Sequence, residues 1–254
     1  MMNRLMTILL LLTALTVAAA KPGVIAHRGY WNTPGSAKNS IRALVKADSI
    51  GCYGSEFDVW ITADDVLVIN HDAIINGVDI EHSTASEVTA QKLENGENVP
   101  TLEQFLTAAK PLNIRLVCEI KAHDSNKRQE EVIKRTLAMM KQFGLEKRVE
   151  YVTFSRNGLL SLIKQVPVGT SVQYPAGDVL PEQMAAWGGK GLNFRCKKLM
   201  NNPDLIRRCH DAGISVKAWK ITSVEQMKWC VDNGVDFLTS DDPEMHMQML
   251  DKLD

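Results

Sequence analysis

Apolar and polar positions alternate along this chain in two rhythms, short apolar runs and longer amphipathic stretches. The runs at 24–27, 55–60, 66–70, 115–121, 151–154, 168–174, 191–194, 215–219 and 236–240 predict strands. Three of the intervening stretches read clearly as helices. The first covers 39–50, with Asn39 or Ser40 as its cap. The second covers 101–110, after Pro100 and with Glu103 in its first turn. The third covers 127–143 and ends at Gly144. Strands alternating with helices imply parallel βαβ units. About eight such units in this length fit a (β/α)8 TIM barrel better than an open sheet. No glycine-rich phosphate loop follows the first strand, which weakens a doubly wound sheet. Residues 73–98 break the rhythm: they are polar, contain Asn76-Gly77 and Asn95-Gly96, and read as a small insertion after the second strand region, over one end of the barrel.

The N-terminus follows a different pattern. Arg4 is the one charge ahead of an apolar run that ends in Ala18-Ala19-Ala20, a small-residue cleavage site. The expectation is a signal peptide over 1–20 and a mature chain from Lys21, exported to a bacterial periplasm or secreted. The apolar run is short for a membrane span, and no Cys follows the cleavage site to carry a lipid. No stable membrane anchor is expected after cleavage. Residues 21–254 read as one domain, with no linker or low-complexity tract inside it.

Composition narrows the partners. A net charge of −1 gives no reason to expect nucleic acid or an anionic membrane as a bulk partner. Apolar content of 45% supports a sizeable core. The five cysteines are an odd number without zinc spacing. Free buried thiols are expected, with Cys196–Cys209 as the one pair considered for a disulfide. Nothing in the sequence sets the oligomeric state.

Barrel enzymes place chemistry where strands end. His27, Glu56, Asp58 and Glu119 fall near predicted strand C-termini. Glu56 and Asp58 are two apart and share a strand face, as do Glu119 and Lys121. Taken singly, these are a solvated strand end and an ion pair. Together with His27, His71 and Arg28 they form a set suited to cutting a phosphodiester with a metal. A divalent cation held by Glu56, Asp58 and Glu119, with Lys121 alongside, would satisfy groups that are costly to bury alone. An all-oxygen site favours Mg²⁺ or Ca²⁺, with Mn²⁺ also allowed, over zinc.

An ordered pattern extends this reading. It comprises His27-Arg28-Gly29, Asn39-Ser40, Glu56-x-Asp58, Thr62-x-x-Asp65, His71-Asp72, Pro100-Thr101-Leu102-Glu103, Glu119-Ile120-Lys121 and Thr239-Ser240-Asp241-Asp242-Pro243. In this pattern the chain resembles the glycerophosphodiester phosphodiesterase family of TIM barrels. The resemblance implies His27 and His71 as the acid/base pair, Glu56, Asp58 and Glu119 as metal ligands, and Arg28 and Lys121 as phosphate contacts. It implies a small-molecule glycerophosphodiester cut to an alcohol and glycerol 3-phosphate, with water or a neighbouring glycerol hydroxyl as nucleophile. Trp219 stands in a run that departs from the family's, and is read as an aromatic wall for a glycerol or sugar face, or as packing. Ala37-Lys38-Asn39 replaces the family's Pro-Glu-Asn, so Lys38 reverses a charge close to Arg28.

Other residues carry less. His123 is read as a loop histidine, and His82, His210 and His246 as surface groups. Asn193 and Arg195 stand near a strand end without an assigned role, Asp64-Asp65 is read as a turn, and the charges of 127–141 as a solvated helix face. Two alternatives keep the fold. One is the same machinery acting on a lipid or a phosphodiester-decorated glycan. The other is a barrel that binds phosphodiesters without turnover, motivated by Lys38 and Lys220.

Overall fold

The computed structural model of the chain describes residues 21–219 and 221–252. The signal-peptide expectation for 1–20 and the reading of Lys220 lie outside these residues. The elements alternate as the pattern predicts. The first half runs β1 (Gly23–Ala26), α1 (Ile41–Ser49), β2 (Gly54–Ile61), β3 (Leu67–Ile69), β4 (Ile74–Ile75), β5 (Val78–Asp79), α2 (Ala85–Thr89), α3 (Leu102–Ala109), β6 (Arg115–Ile120) and α4 (Asn126–Phe143). The second half runs β7 (Val149–Val152), α5 (Arg156–Gln165), β8 (Val172–Tyr174), α6 (Pro181–Trp187), β9 (Gly191–Arg195), α7 (Cys196–Asn201), α8 (Asp204–Asp211), β10 (Ser215–Trp219), α9 (Val224–Asp232), β11 (Phe237–Ser240) and α10 (Pro243–Asp251).

The strand order is β1-β11-β10-β9-β8-β7-β6-β2, and β1 also pairs with β2, so the parallel sheet closes on itself as a TIM barrel. β3 adds to β2 in antiparallel fashion outside the ring. That pairing carries β2 through Ile61, so Glu56 and Asp58 sit within the strand rather than at its end. β8 begins at Val172 rather than at 168, because pairing with β7 starts there, at Tyr151↔Val172. Val168 is instead fully exposed, and Gly169 takes a left-handed turn at φ +91°. β7 lies earlier than the apolar run suggests and leaves Phe154 beyond its end, 45% exposed.

Helix ends follow local chemistry. Ser40 caps α1 by accepting from the Ala43 N–H, and Thr101 and Gln104 form a reciprocal capping box on α3. Gly144 closes α4 in the left-handed conformation at φ +70°. Outward-facing Phe57, Val59 and Ile61 of β2 join the main core, where the Phe57 and Phe105 rings lie 4.5 Å apart. The insertion is not merely polar. Its hairpin β4–β5 and helix α2 close a second core of Trp60, Val68, Ile80, Val88 and Val99, against which Ile75, Val78 and Leu93 pack.

Several expectations are corrected here. All five cysteines are free and buried as expected, but the sulfur beside Cys196 is that of Cys230 at 3.7 Å, not that of Cys209. Cys209 belongs to α8, whereas the close approach is between α7 and α9. His246 is buried, with Nδ1 2.5 Å from Ser240 Oγ, because α10 turns that face onto the sheet. The α4 charges are not all solvated: Arg128 and Arg135 both reach Asp65, at 2.5 and 3.3 Å. Asp65 thus does more than turn the chain, although it does that too at φ +66°.

His123 is a loop histidine, as expected, but an anchored one. Its Nδ1–H donates to the Lys121 carbonyl (2.9 Å), its Nε2 accepts from the Ile61 N–H (3.3 Å), and its ring packs against Trp60. Burial pushes its pKa down to about 4. The unfolded chain therefore takes up a proton near pH 6.5 that the folded chain refuses until about 4. Stability is expected to fall as pH drops through that window. Urea midpoints measured from pH 7 to 4 should fall less steeply in His123→Asn than in the parent; equal slopes would refute this.

Candidate active site

Four loops and strands converge at the C-terminal mouth of the barrel. After β1 the ladder continues for one residue, the His27 N–H donating to the Ser240 carbonyl at 2.9 Å. The chain then reverses through Arg28 and Gly29, both at positive φ (+59° and +76°). Glycine is needed at 29 for space as well, since an added Cβ would fall 2.7 Å from the Ala43 carbonyl carbon. This close approach seats the loop on α1. It also aims the Arg28 N–H at Glu56 Oε2, at 2.7 Å.

Asn39 also takes the left-handed conformation in this loop, at φ +61°. Its side-chain amide donates to Asp58 Oδ2 (2.8 Å), and its side-chain carbonyl accepts from the Asp58 N–H (3.3 Å). Both ends of Asp58 are held by one residue. Asp58 and Glu119 are register partners across β2 and β6, and Glu56 lies two residues back on the same face. One carboxylate oxygen from each of Glu56, Asp58 and Glu119 lies within 4.8 Å of the others. Lys121 Nζ bridges two of them, at 3.1 Å from Asp58 and 2.6 Å from Glu119.

Three carboxylates with one ammonium leave negative charge in a buried place. Burial first, then Asp58 and Glu119, raise the Glu56 carboxyl well above the usual range; the Arg28 N–H and Lys121 only partly oppose this. Burial and Asp58 likewise raise Glu119, against Lys121. For Lys121 burial favours the neutral amine, but Asp58 and Glu119 outweigh it and raise its pKa. An excess of hard oxygen donors in a desolvated pocket fits a divalent cation.

Both histidines are backed by carboxylates. His27 Nδ1 lies 2.7 Å from Asp241 Oδ1, and His71 Nδ1 lies 2.7 Å from Asp72 Oδ1. Each pairing assigns the Nδ1 proton to the carboxylate side and leaves Nε2 for exchange. The hydrogen bond from His27 holds Asp241 below the ordinary carboxylate range. Burial lowers the His71 pKa, with Lys121 and Arg28 adding to this and Asp58 and Asp72 opposing it. The Trp60 indole N–H reaches the His71 carbonyl at 3.4 Å, which ties the loop to the insertion's core.

A cavity of about 640 Å³ opens here. His27, Arg28, Glu56, His71, Glu119, Lys121 and Trp219 all line it, so seven of the eight residues singled out in the sequence share one cavity. The eighth, Asp58, lies beneath, completing the acidic cluster. Lys38 also faces the cavity rather than solvent alone, as do Asn193 and Arg195. His82, His123, His210 and His246 do not line it. Sequence reasoning missed the partner roles of Asp241 and Asn39. Asp241 directly follows β11, a strand-end position that could have marked it.

A model of the glycerophosphoryl diester phosphodiesterase family matches residues 27–245. The chain belongs to that family. It is thus an enzyme, a phosphoric diester hydrolase acting on glycerophosphodiesters. A glycerophosphodiester phosphodiesterase from Parabacteroides distasonis is 41% identical in sequence. Its crystal structure superposes with a TM-score of 0.89, covering 92% of this chain and 98% of that one. A glycerophosphodiester phosphodiesterase from Caldanaerobacter subterraneus subsp. tengcongensis is 25% identical over 246 residues, 90% of this chain and 98% of its own. The fold also matches that of an Oleispira antarctica phosphodiesterase solved with the product sn-glycerol-3-phosphate, at 21% identity and a TM-score of 0.80, over 91% of this chain and 97% of that one.

Proposed function

We propose that this family member is an exported, divalent-metal-dependent enzyme that hydrolyses a glycerophosphodiester to an alcohol and glycerol 3-phosphate. The observation that carries the reading is the pair of carboxylate-backed histidines sharing one cavity with a three-carboxylate cluster. Glu56, Asp58 and Glu119 would hold Mg²⁺, Ca²⁺ or Mn²⁺. When bound, such an ion withdraws charge from the phosphoryl oxygens. Arg28 and Lys121 add fixed positive charge where the phosphate's non-bridging oxygens gather negative charge. His71, kept neutral by burial, takes the proton of the nucleophile at Nε2. His27, whose Nδ1 is turned to Asp241, delivers a proton from Nε2 to the departing alkoxide. Trp219 flanks the substrate. The Oleispira structure's bound product supports glycerol 3-phosphate as the product here. Export rests on the N-terminal leader pattern.

A lipid substrate draws little support from the insertion. Ile80 is buried, Ile75 and Val78 pack into the second core, and Ile74 is left exposed. Release of glycerol 3-phosphate from glycerophosphocholine, glycerophosphoethanolamine, glycerophosphoglycerol and glycerophosphoinositol tests the proposal. Release with Mg²⁺, Ca²⁺ or Mn²⁺ and none with chelator is expected. Release that persists undiminished in chelator would remove the metal from the proposal. Binding of a folded protein to these diesters without product would favour the non-catalytic alternative.

A further inference from the structure

We infer that the preferred substrate carries a second anionic group on its alcohol arm, bound by Arg195 and Lys38. The inference rests on the phosphodiesterase reading and names the class of diester it acts on.

Arg195 ends β9 and Trp219 ends β10, and the two are direct register partners. In the closed strand order these strands lie across the barrel from β2 and β6, which carry the acidic cluster. A phosphate held near that cluster and Arg28 has its alcohol arm to place in the remaining cavity. Lys38 reaches the same cavity from the loop after β1.

Aromatic faces could have made this end a cage for a cationic headgroup. They are already covered. The Arg195 guanidinium lies over the Trp219 ring at 4.7 Å, and Lys38 Nζ lies over the Trp31 ring at 4.6 Å. A choline or ethanolamine nitrogen would have to displace a resident cation and then endure its charge. Phe154 meets Trp219 edge-on, at 84° and 6.4 Å.

Carboxylates are equally committed. Those lining the cavity are Glu56, Glu119 and Asp241. The first two belong to the cluster held with Lys121, and Asp241 faces His27. Among the described residues, neither Arg195 nor Lys38 has a carboxylate within ion-pair distance. Lys217, which also lines the cavity, is different: Glu150 neutralises it at 2.7 Å. Outside the acidic cluster the cavity thus presents two positive charges without a carboxylate partner, Arg195 on the far wall and Lys38 on the loop after β1. The wall also contains two solvent-shielded atoms without partners, Trp219 Nε1 and Asn193 Oδ1, a donor and an acceptor suited to a hydroxylated arm. Glycerol is neutral, so an anion meeting Arg195 must be carried by the other substituent. A phosphomonoester or a carboxylate both meet the requirement, and Arg195 can engage either with two parallel hydrogen bonds.

The test compares kcat/KM for glycerophosphoglycerol, glycerophosphocholine, glycerophosphoglycerate and the phosphomonoester of glycerophosphoglycerol. The phosphomonoester diester is expected to exceed glycerophosphocholine by about tenfold or more, a difference of roughly 1.4 kcal/mol. Glycerophosphoglycerate, which carries a carboxylate and no ammonium, separates carboxylate from phosphate recognition. Arg195→Gln and Lys38→Gln should each cut the anionic-to-neutral ratio several-fold, mainly through KM. Raising salt should shrink the same ratio, because both cations are partly exposed. A preference for glycerophosphocholine, or ratios unmoved by both substitutions, would overturn the inference while leaving the hydrolase reading intact. Binding of the same diesters to His71→Ala, followed by calorimetry, covers the opposite failure. Anion-selective binding without turnover by the parent would uphold the far wall and overturn the catalytic reading. Equal affinities would overturn the inference directly.

Discussion

Turnover of a glycerophosphodiester is expected to fall by roughly 10²–10⁴-fold when either His27 or His71 is replaced by alanine. The two rings come from separate loops, yet both turn Nδ1 toward a carboxylate at 2.7 Å and both line one cavity. That arrangement sets the tautomer and the orientation of each ring. The loss should appear in kcat, since each ring acts on a proton that moves in the transition state. The pH profile carries a sign. Burial lowers the His71 pKa, so the ring stays a competent base below the ordinary histidine value of about 6.5. The acid limb of kcat/KM should therefore lie on the acid side of that value and vanish from the residual activity of His71→Ala. Circular dichroism of both variants guards against misfolding. Near-normal kcat in both would sink the assignment.

Replacing Glu56 by glutamine should remove most of the stabilisation that metal confers. The wild-type protein folds around three carboxylates and one ammonium. Burial and the neighbouring charges raise the Glu56 pKa, so the folded chain holds a proton that the unfolded chain releases near 4.5. Without metal, stability is present below that value and is lost as pH rises through the raised folded pKa. Glutamine has no charge to lose and can still accept from the Arg28 N–H. Metal-free Glu56→Gln should accordingly melt no lower than metal-free wild type at pH 7 to 8. Saturating Mg²⁺, Ca²⁺ or Mn²⁺ should then raise the wild-type melting temperature, and the variant's much less. At a hundredfold excess over Kd the gain is about 2.7 kcal/mol, or roughly 5–10 °C for a domain of this size. The variant should lose activity together with the shift. Equal metal shifts in both proteins would remove Glu56 from the ligand set.

Much of the candidate site's arrangement was legible in the chain because its residues follow strand periodicity. Glu56 and Asp58 had to share a face, as did Glu119 and Lys121, whatever the strands packed against. The histidines were legible for another reason, their place in an ordered run of motifs. The partners of those residues were not legible. Asp241 reaches His27 across 214 positions, and Asn39 meets Asp58 only after the chain turns through the left-handed Arg28, Gly29 and Gly35. His246 looked like a surface group because α10 is a weakly patterned helix whose inner face the sequence does not announce. Cys196 and Cys230 lie further apart in sequence than Cys196 and Cys209, and closer in space.

Alternating apolar rhythms therefore determined the element order, the parallel barrel and the face on which each strand carries its chemistry, since these depend on backbone geometry that neighbouring residues share. Closure of the sheet decided the rest. Pairing β1 with both β2 and β11 brings Asp241 to His27, sets Arg28 on Glu56 and places the Arg195–Trp219 pair opposite the acidic cluster. Such contacts join residues whose separation along the chain carries no periodic signal, so they exist only once the barrel has formed.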